Sequence, residues 1–235
     1  MKFNEIISPS LKELFIQEIE NSILSGKLEI GEQLPSEREL AGSMKVSRAV
    51  VNAGIKEMAL KGFLEIKPRS GTYVADYRRS GTIDTLLSIM KYNGGQLKRE
   101  DVRSILELKV VLDTLGAELF LTKNKESDLK SLENRLINLR ESQTKELIID
   151  NYFEFYQELM LLSGNTLLPL IYYSFRKPVL SLLDRYSRKH GTEPLIQTAQ
   201  HLFDALKRQD LDNAKRCIKE RIGEAITGSK EIYNE

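Results

Sequence analysis

Arginine, asparagine and serine carry the chemistry that the first third of this chain offers. Ser47 opens a segment in which Arg48, Asn52 and Lys56 recur every four residues, so on a helix the three share one face. Val51, Ile55 and Met58 fall on the opposite face, which a core would bury. An Arg in the first turns of such a helix can pair with guanine O6 and N7, and an Asn with adenine N6 and N7 or a phosphate. Ser47 can cap the helix and also bond a phosphate. Further on, Lys67-Pro68-Arg69-Ser70-Gly71 sets two cations on a glycine turn, suited to a minor groove or a phosphate backbone. A solvated helix face and an ordinary hairpin would explain either feature alone. Their order along the chain argues for DNA.

The elements that must position these residues are legible around them. Leu11, Leu14, Phe15, Ile19 and Ile23 recur at helical steps, with Ser8 or Ser10 as cap and Gly26 as stop. A second helix opens at Ser36, with Glu39 completing a capping box, and ends near Met44. The turn Lys45-Val46 leads into the third helix, from Ser47 to about Lys61. The period then changes: Phe63–Ile66 and Thr72–Val74 read as strands joined by the Pro68–Gly71 turn. Two helices across a short turn followed by a hairpin make a winged helix-turn-helix, assigned to residues 1–79.

Arg78-Arg79-Ser80-Gly81 reads as a linker, and no strand signal follows it. Residues 82–93 look helical and stop at Gly94-Gly95. Helical spacing then covers Asp101–Leu121 and about 126–142, 144–163, 166–187, 193–208 and 211–232, with Pro178 expected to kink or split its segment. The fold class is therefore mainly α: the winged module, then an all-α bundle of six or seven helices over residues 80–235.

Composition narrows the setting. The chain has 235 residues, 41% of them apolar, enough for a core without staples. A lone Cys217 and the absence of a long apolar run point to a cytoplasmic protein without a membrane segment. Net charge is only +1, but residues 38–79 hold nine Lys/Arg against four Asp/Glu, whereas residues 80–235 hold 23 of each. A basic segment joined to a neutral bulk suits a nucleic-acid module with a second task attached.

The runs Leu34-Pro35-Ser36-Glu37-Arg38-Glu39-Leu40-Ala41, Val46-Ser47-Arg48, Gly62-Phe63-Leu64 and Ser70-Gly71-Thr72-Tyr73-Val74 resemble the GntR superfamily of bacterial repressors. The resemblance implies that Arg38 joins Arg48 as a DNA contact. It departs at Asn52-Ala53, where the family usually has Arg-Glu, and at Lys45, where a glycine is frequent. Ser163-Gly164-Asn165 after the aromatic Tyr152–Leu162 helix, together with Glu107–Asp113, resembles the all-helical effector domain of the FadR branch. Many members of that branch hold a divalent metal with an Asp and a His four residues apart, plus later histidines. The matching positions here are Tyr152, Tyr156, Ala199 and Arg221, and the only histidines are His190 and His201. Neutral tyrosines are poor metal ligands, so neither metal nor cofactor is expected. Acyl-CoA regulators of the branch also lack the metal, but their ligand-binding Tyr and Ser fall on Lys219 and Gly223 here.

The expected function is a bacterial transcriptional regulator, a homodimer on a double-stranded operator. A small anionic effector, an organic acid or acyl-CoA, would modulate it from the helical domain. Tyr152 and Tyr156 share a helix face and either pack the core or line a pocket, with Lys109 and Arg221 as anion partners. Asp113, one turn beyond Lys109, could instead pair with that lysine internally. Two alternatives stand beside this reading: a ligand-independent DNA-binding protein whose helical domain only dimerises, and an enzyme fused to a DNA module. The chain has no glycine-rich phosphate loop and no nucleophile–base spacing to favour the enzyme.

Overall fold

The computed structural model describes residues 9–92, 99–123 and 126–227. It divides into two compact units, Met1–Gln96 and Leu97–Glu235. Ser8 and Gly94-Gly95, the expected cap and stop signals, lie outside the described residues.

In the first unit α1 (Leu11–Leu24) starts at Ser10, whose side chain and that of Glu13 form a reciprocal capping box. Phe15, Ile16, Ile19 and Ile23 point into the core. Leu11 and Leu14, expected on that face, are 56% and 46% exposed. Leu11 keeps the register but sits in the open first turn, and Leu14 lies one step off the stripe. The helix α2 (Glu37–Met44) carries a second capping box, Ser36 with Glu39, and α3 (Arg48–Leu60) is capped by Ser47. A Cβ on Gly54 of α3 would lie 2.3 Å from Cδ1 of Phe15, so the missing side chain lets α1 and α3 approach.

The turn between α2 and α3 has Lys45 in the left-handed region, φ 53° and ψ 43°. That conformation costs a residue with a Cβ about 1–2 kcal/mol, which explains why glycine is common there. Lys45→Gly should therefore stabilise the first unit by about 0.5–1 kcal/mol, once the extra freedom of glycine in the unfolded chain is subtracted. Urea denaturation of variant and wild type checks it; an unchanged midpoint would mean that the side chain of Lys45 offsets the backbone cost.

Two antiparallel strands, β1 (Leu64–Lys67) and β2 (Gly71–Val74), pair from Leu64 with Val74 to Lys67 with Gly71. A third rung is added by residues before α2. Gln33 bridges to Tyr73, Leu34 N donates to Thr72 O at 2.8 Å, and Val74 N donates to Glu32 O at 2.8 Å.

The boundary between the units falls at Gln96/Leu97 rather than at 79/80. After the short α4 (Tyr77–Ser80), α5 (Ile83–Tyr92) packs on α1 through polar groups. Ser88 Oγ donates to Glu20 Oε1 at 3.0 Å, the same oxygen that receives Lys61 Nζ at 3.1 Å. The Thr85 hydroxyl donates to the carbonyl of Lys61. The helix expected to begin the second domain is held by the first unit.

The second unit holds, among the described residues, α6 (Arg99–Lys123), α7 (Glu126–Glu141), α8 (Lys145–Leu162), α9 (Leu168–Ser174), α10 (Arg176–His190), α11 (Glu193–Lys207) and α12 (Leu211–Thr227). The 166–187 segment divides at Phe175, which ends α9 and precedes α10. Pro178 then sits in the first turn of α10, where its missing N–H leaves no intrahelical bond unmade. The central α8 buries Ile149, Tyr152, Phe153, Phe155, Tyr156, Leu159 and Met160 along one broad face, its other side being half-buried or exposed. Among the described residues no helix is long and apolar enough to cross a membrane.

Candidate functional site

In the first unit, Arg38, Ser47, Arg48 and Lys56 are exposed, while Val51, Ile55 and Met58 are buried, as the helical spacing requires. Ser47 Oγ accepts from Val50 N at 3.3 Å and keeps its own proton to donate. Arg48 therefore projects from the first turn of a helix held on its other side by the core. Asn52 is half-buried, and its Nδ2 donates to Glu37 Oε1 at 2.9 Å. It ties α3 to α2, so its amide arrives at a base or phosphate only by giving up that bond.

The wing is a closed turn, with Ser70 N donating to Lys67 O at 3.0 Å. Arg69 takes φ 63° at its tip and Gly71 takes φ 126°. Gln33 Nε2 donates to Ser70 O at 2.8 Å, and a Cβ on Gly71 would fall 2.5 Å from that nitrogen. Gly71 thus serves the geometry of the wing, while Lys67 and Arg69 supply its charge. Lys67 Nζ rests 3.4 Å from Glu65 and 4.8 Å from the Tyr73 ring centre.

In the second unit a cavity of about 60 Å³ opens among α6, α8, α10, α11 and α12. Leu106, Val179, Leu182 and Ile222 make much of its wall, and Lys109, Tyr152, Tyr186 and Arg221 bring polar groups to it. Tyr156 does not line it. It lies beneath, its ring centre 4.0 Å from Lys109 Nζ and its hydroxyl 3.4 Å from that of Tyr152.

Lys109 is buried and already partnered: Nζ donates to Asp113 Oδ2 at 2.5 Å and to the Tyr172 hydroxyl at 2.9 Å. Burial pushes the Lys109 ammonium below its ordinary pKa and the Asp113 carboxyl above its own, even though each attracts the other. Burial also raises the Tyr152 phenol to about 12 and holds Tyr156 and Tyr172 well above 10, so all three are neutral at ordinary pH. Arg221 differs from Lys109. Its guanidinium carbon stands 4.3 Å from the Tyr186 ring centre, and Nη1 is 3.5 Å from Glu224 Oε2. That Nη1 is nonetheless buried with no hydrogen-bond partner. Among the described residues no group of three or more His, Cys, Asp or Glu is gathered to hold a metal.

Three residues that shape these sites gave no sequence signal. Tyr172 reaches Lys109 across 63 positions, Tyr186 supplies the face for Arg221, and Gln33 pins the wing across 37 positions. Only contacts distant in sequence identify them.

Comparison with known proteins adds to this geometry. Residues 11–74 match the family described as bacterial regulatory proteins, gntR family, and residues 104–224 match the FCD domain. The HTH-type transcriptional regulator Mce2R of Mycobacterium tuberculosis is 27% identical over 230 residues, covering 97% of this chain and 95% of that protein. LutR, an HTH-type transcriptional regulator of Bacillus subtilis, is 25% identical over 191 residues, covering 78% of this chain and 85% of that one. Among solved structures, Lar, described as controlling the agr system of Listeria monocytogenes, superposes with a TM-score of 0.62 at 15% identity. It covers 95% of this chain and 98% of its own, a likeness of fold.

Proposed function

Because the chain belongs to the GntR family of bacterial regulatory proteins and carries an FCD domain, we propose that a small carboxylate held in its helical unit controls its operator binding. Regulators of this family bind DNA operators, and the chain is a transcription regulator rather than an enzyme. The observation that carries the effector reading is Arg221 Nη1, a buried donor with no hydrogen-bond partner, only a 3.5 Å ion pair with Glu224, at a largely apolar cavity. An unmet buried donor costs about 1–3 kcal/mol, more when charged, so an acceptor that enters the cavity gains that much beyond its contacts. Lys109 offers less, since Asp113 and Tyr172 occupy it. At about 60 Å³ the cavity favours a small organic acid over acyl-CoA. Tyr152, neutral and lining the same wall, can add a second donor by giving up its 3.4 Å bond to Tyr156.

On the DNA side, Arg48 is the base-reading residue, with Arg38 and Ser47 on phosphates. Lys67 and Arg69 place the wing on the backbone. A homodimer presents two such heads to paired half-sites. Operator sites selected from a random DNA pool provide the test, with affinity read by fluorescence anisotropy. Arg48→Ala should weaken the selected site by about 1–3 kcal/mol and relax base preference at one position per half-site. Equal losses on selected and random DNA would make Arg48 a phosphate contact instead. Arg69→Ala should lower affinity and the salt slope while sparing sequence preference; an unchanged slope removes the wing from the interface.

The internal pairing of Lys109 with Asp113 favours one second reading, a helical unit that binds no ligand. A panel of small mono- and dicarboxylates, screened by thermal shift and then by release of operator DNA, separates the two. Stabilisation by any member supports the effector reading, and a flat response across the panel in both assays supports the second.

A further inference from the structure

Glu37 opens α2 as an exposed carboxylate, and its Oε1 accepts from Asn52 Nδ2 at 2.9 Å. Asn52 lies one turn beyond Arg48 on the open face of α3, so the bond brings an acid to the face that carries the proposed DNA contacts. Other acids of the first unit are engaged by charges or caps. Glu20 and Glu57 pair with Lys61, Glu65 pairs with Lys67, and Glu39 closes the capping box with Ser36. Among the described residues Glu37 has no basic partner and is held by the amide alone. It also lines the cleft between the start of α2 and the wing turn Lys67–Gly71. A free acid thus stands between recognition helix and wing, where every other proposed contact is a donor.

We propose that Glu37 reads the amino group of a cytosine in each half-site, with Asn52 as the residue that positions it. The inference rests on the operator reading above and adds a base contact to it. DNA leaves a carboxylate few partners. An ionised carboxylate accepts and cannot donate, phosphates offer no donor, and in the major groove only cytosine N4 and adenine N6 do. Adenine sets its acceptor N7 beside N6, so an acid there meets repulsion together with its bond. Cytosine presents N4 with no acceptor of its own in that groove. Asn52 supports the same choice: with Nδ2 turned to Glu37, its Oδ1 faces away as a second acceptor. Holding Oε1 leaves Oε2 free for the base and spares the acid the entropy of finding its orientation. The acid also acts against wrong sequences. Where no amino group meets it, a negative charge stays near the phosphates without a donor, which lowers affinity for random DNA.

Selection of operator sites from a random pool, run with the full chain and with Glu37→Gln, tests the assignment. Wild type should fix a cytosine beside the base read by Arg48. Glu37→Gln should lose that preference and keep the Arg48 base. In a cycle of two proteins and two operators, with cytosine or thymine at that position, the preference should fall at least about tenfold in the variant. Its affinity for random DNA should rise by about threefold as repulsion is lost. Asn52→Arg offers donors in place of an acceptor and occupies the acid, so the position should change from cytosine to guanine. Neither residue is buried, so circular dichroism should match wild type. If Glu37→Gln fails to fold, Glu37→Asp, which withdraws the charge by one methylene, takes its place in the cycle with the same expected loss. A cytosine preference equal in wild type and variant overturns the assignment. So does a wild-type preference for adenine, guanine or thymine at the position that the variant changes. A cytosine kept by Asn52→Arg overturns the positioning role of Asn52. A wild type that selects no sequence overturns the operator reading itself, whereas selection that depends on Arg48 and not on Glu37 overturns this contact alone.

Discussion

Asp113→Ala should destabilise the helical unit by about 3–5 kcal/mol, the cost of leaving a buried charge without its partner. Lys109 would keep the Tyr172 hydroxyl, a neutral group, and the Tyr156 ring face, which together replace a carboxylate poorly. The loss should depend on pH in a defined direction. Burial already lowers the pKa of Lys109 against the attraction of Asp113, so removing the carboxylate lowers it further. Between that depressed value and the ordinary ~10.4, the unfolded chain binds more protons than the folded one, and stability rises with pH. The deficit of Asp113→Ala should therefore shrink as pH climbs from neutrality towards 10. Tyr152, Tyr156 and Tyr172, whose protons burial holds in the folded chain, lower the stability of wild type and variant alike as pH nears 10 and so cancel in the difference.

The companion variant distinguishes a pair that holds the unit together from one that the unit tolerates. Lys109→Met combined with Asp113→Leu removes both charges and keeps most of the volume. It should fold with a stability equal to wild type or up to about 4 kcal/mol higher, since burial of two charges costs more than their attraction returns. Urea melts monitored by circular dichroism give both numbers. An Asp113→Ala chain within about 1 kcal/mol of wild type would mean that Lys109 finds another acceptor or loses its proton without cost.

The sequence makes this pair legible and leaves its setting hidden. Lys109 and Asp113 stand four apart on one helix, so their meeting follows from helical geometry alone. That they are buried, and that Tyr172 completes the contact, depends on α9 folding back onto α6, which no local pattern records. The capping box at Ser36 was readable for the same reason as the pair, being an interaction three residues apart, while the cap of α1 stood open between Ser8 and Ser10. The unit boundary was not. α5 turns Thr85 and Ser88 inward, where they bond Lys61 and Glu20, and leaves Ile83 51% exposed. The linker signal at Arg78–Gly81 therefore precedes a helix that still belongs to the first unit. The rung at Gln33 escaped because a few residues of edge pairing carry no alternation long enough to register. At the candidate sites, residue types were legible and their engagements were not. Asn52 and Lys109 each hydrogen-bond a carboxylate of their own, whereas Arg221 approaches Glu224 at 3.5 Å and makes no hydrogen bond through its buried Nη1.

That difference makes Arg221→Met the variant with the largest expected effect on regulation. Methionine fills the apolar stem of arginine beside Tyr186 and removes the guanidinium, including the buried Nη1 that makes no hydrogen bond. Losing an unmet buried donor leaves stability unchanged or improves it by about 1 kcal/mol, and Glu224, 44% exposed, remains hydrated. A carboxylate held by Arg221 loses its charge-assisted bonds, which are worth about 2–5 kcal/mol when desolvated. The effector concentration that releases DNA should rise at least a hundredfold, or the response should vanish. Affinity for the operator without effector should stay within about threefold, or ~0.65 kcal/mol. The measurement is operator anisotropy titrated with whichever carboxylate stabilises the wild type, with Lys109→Met beside it. Lys109→Met strands Asp113, so it should lower stability as well as response, whereas Arg221→Met should lower response alone. If Arg221→Met released DNA at the wild-type effector concentration, the anion would be bound elsewhere in the unit. The unmet Nη1 would then be a cost of packing arginine against Tyr186 and have no part in sensing.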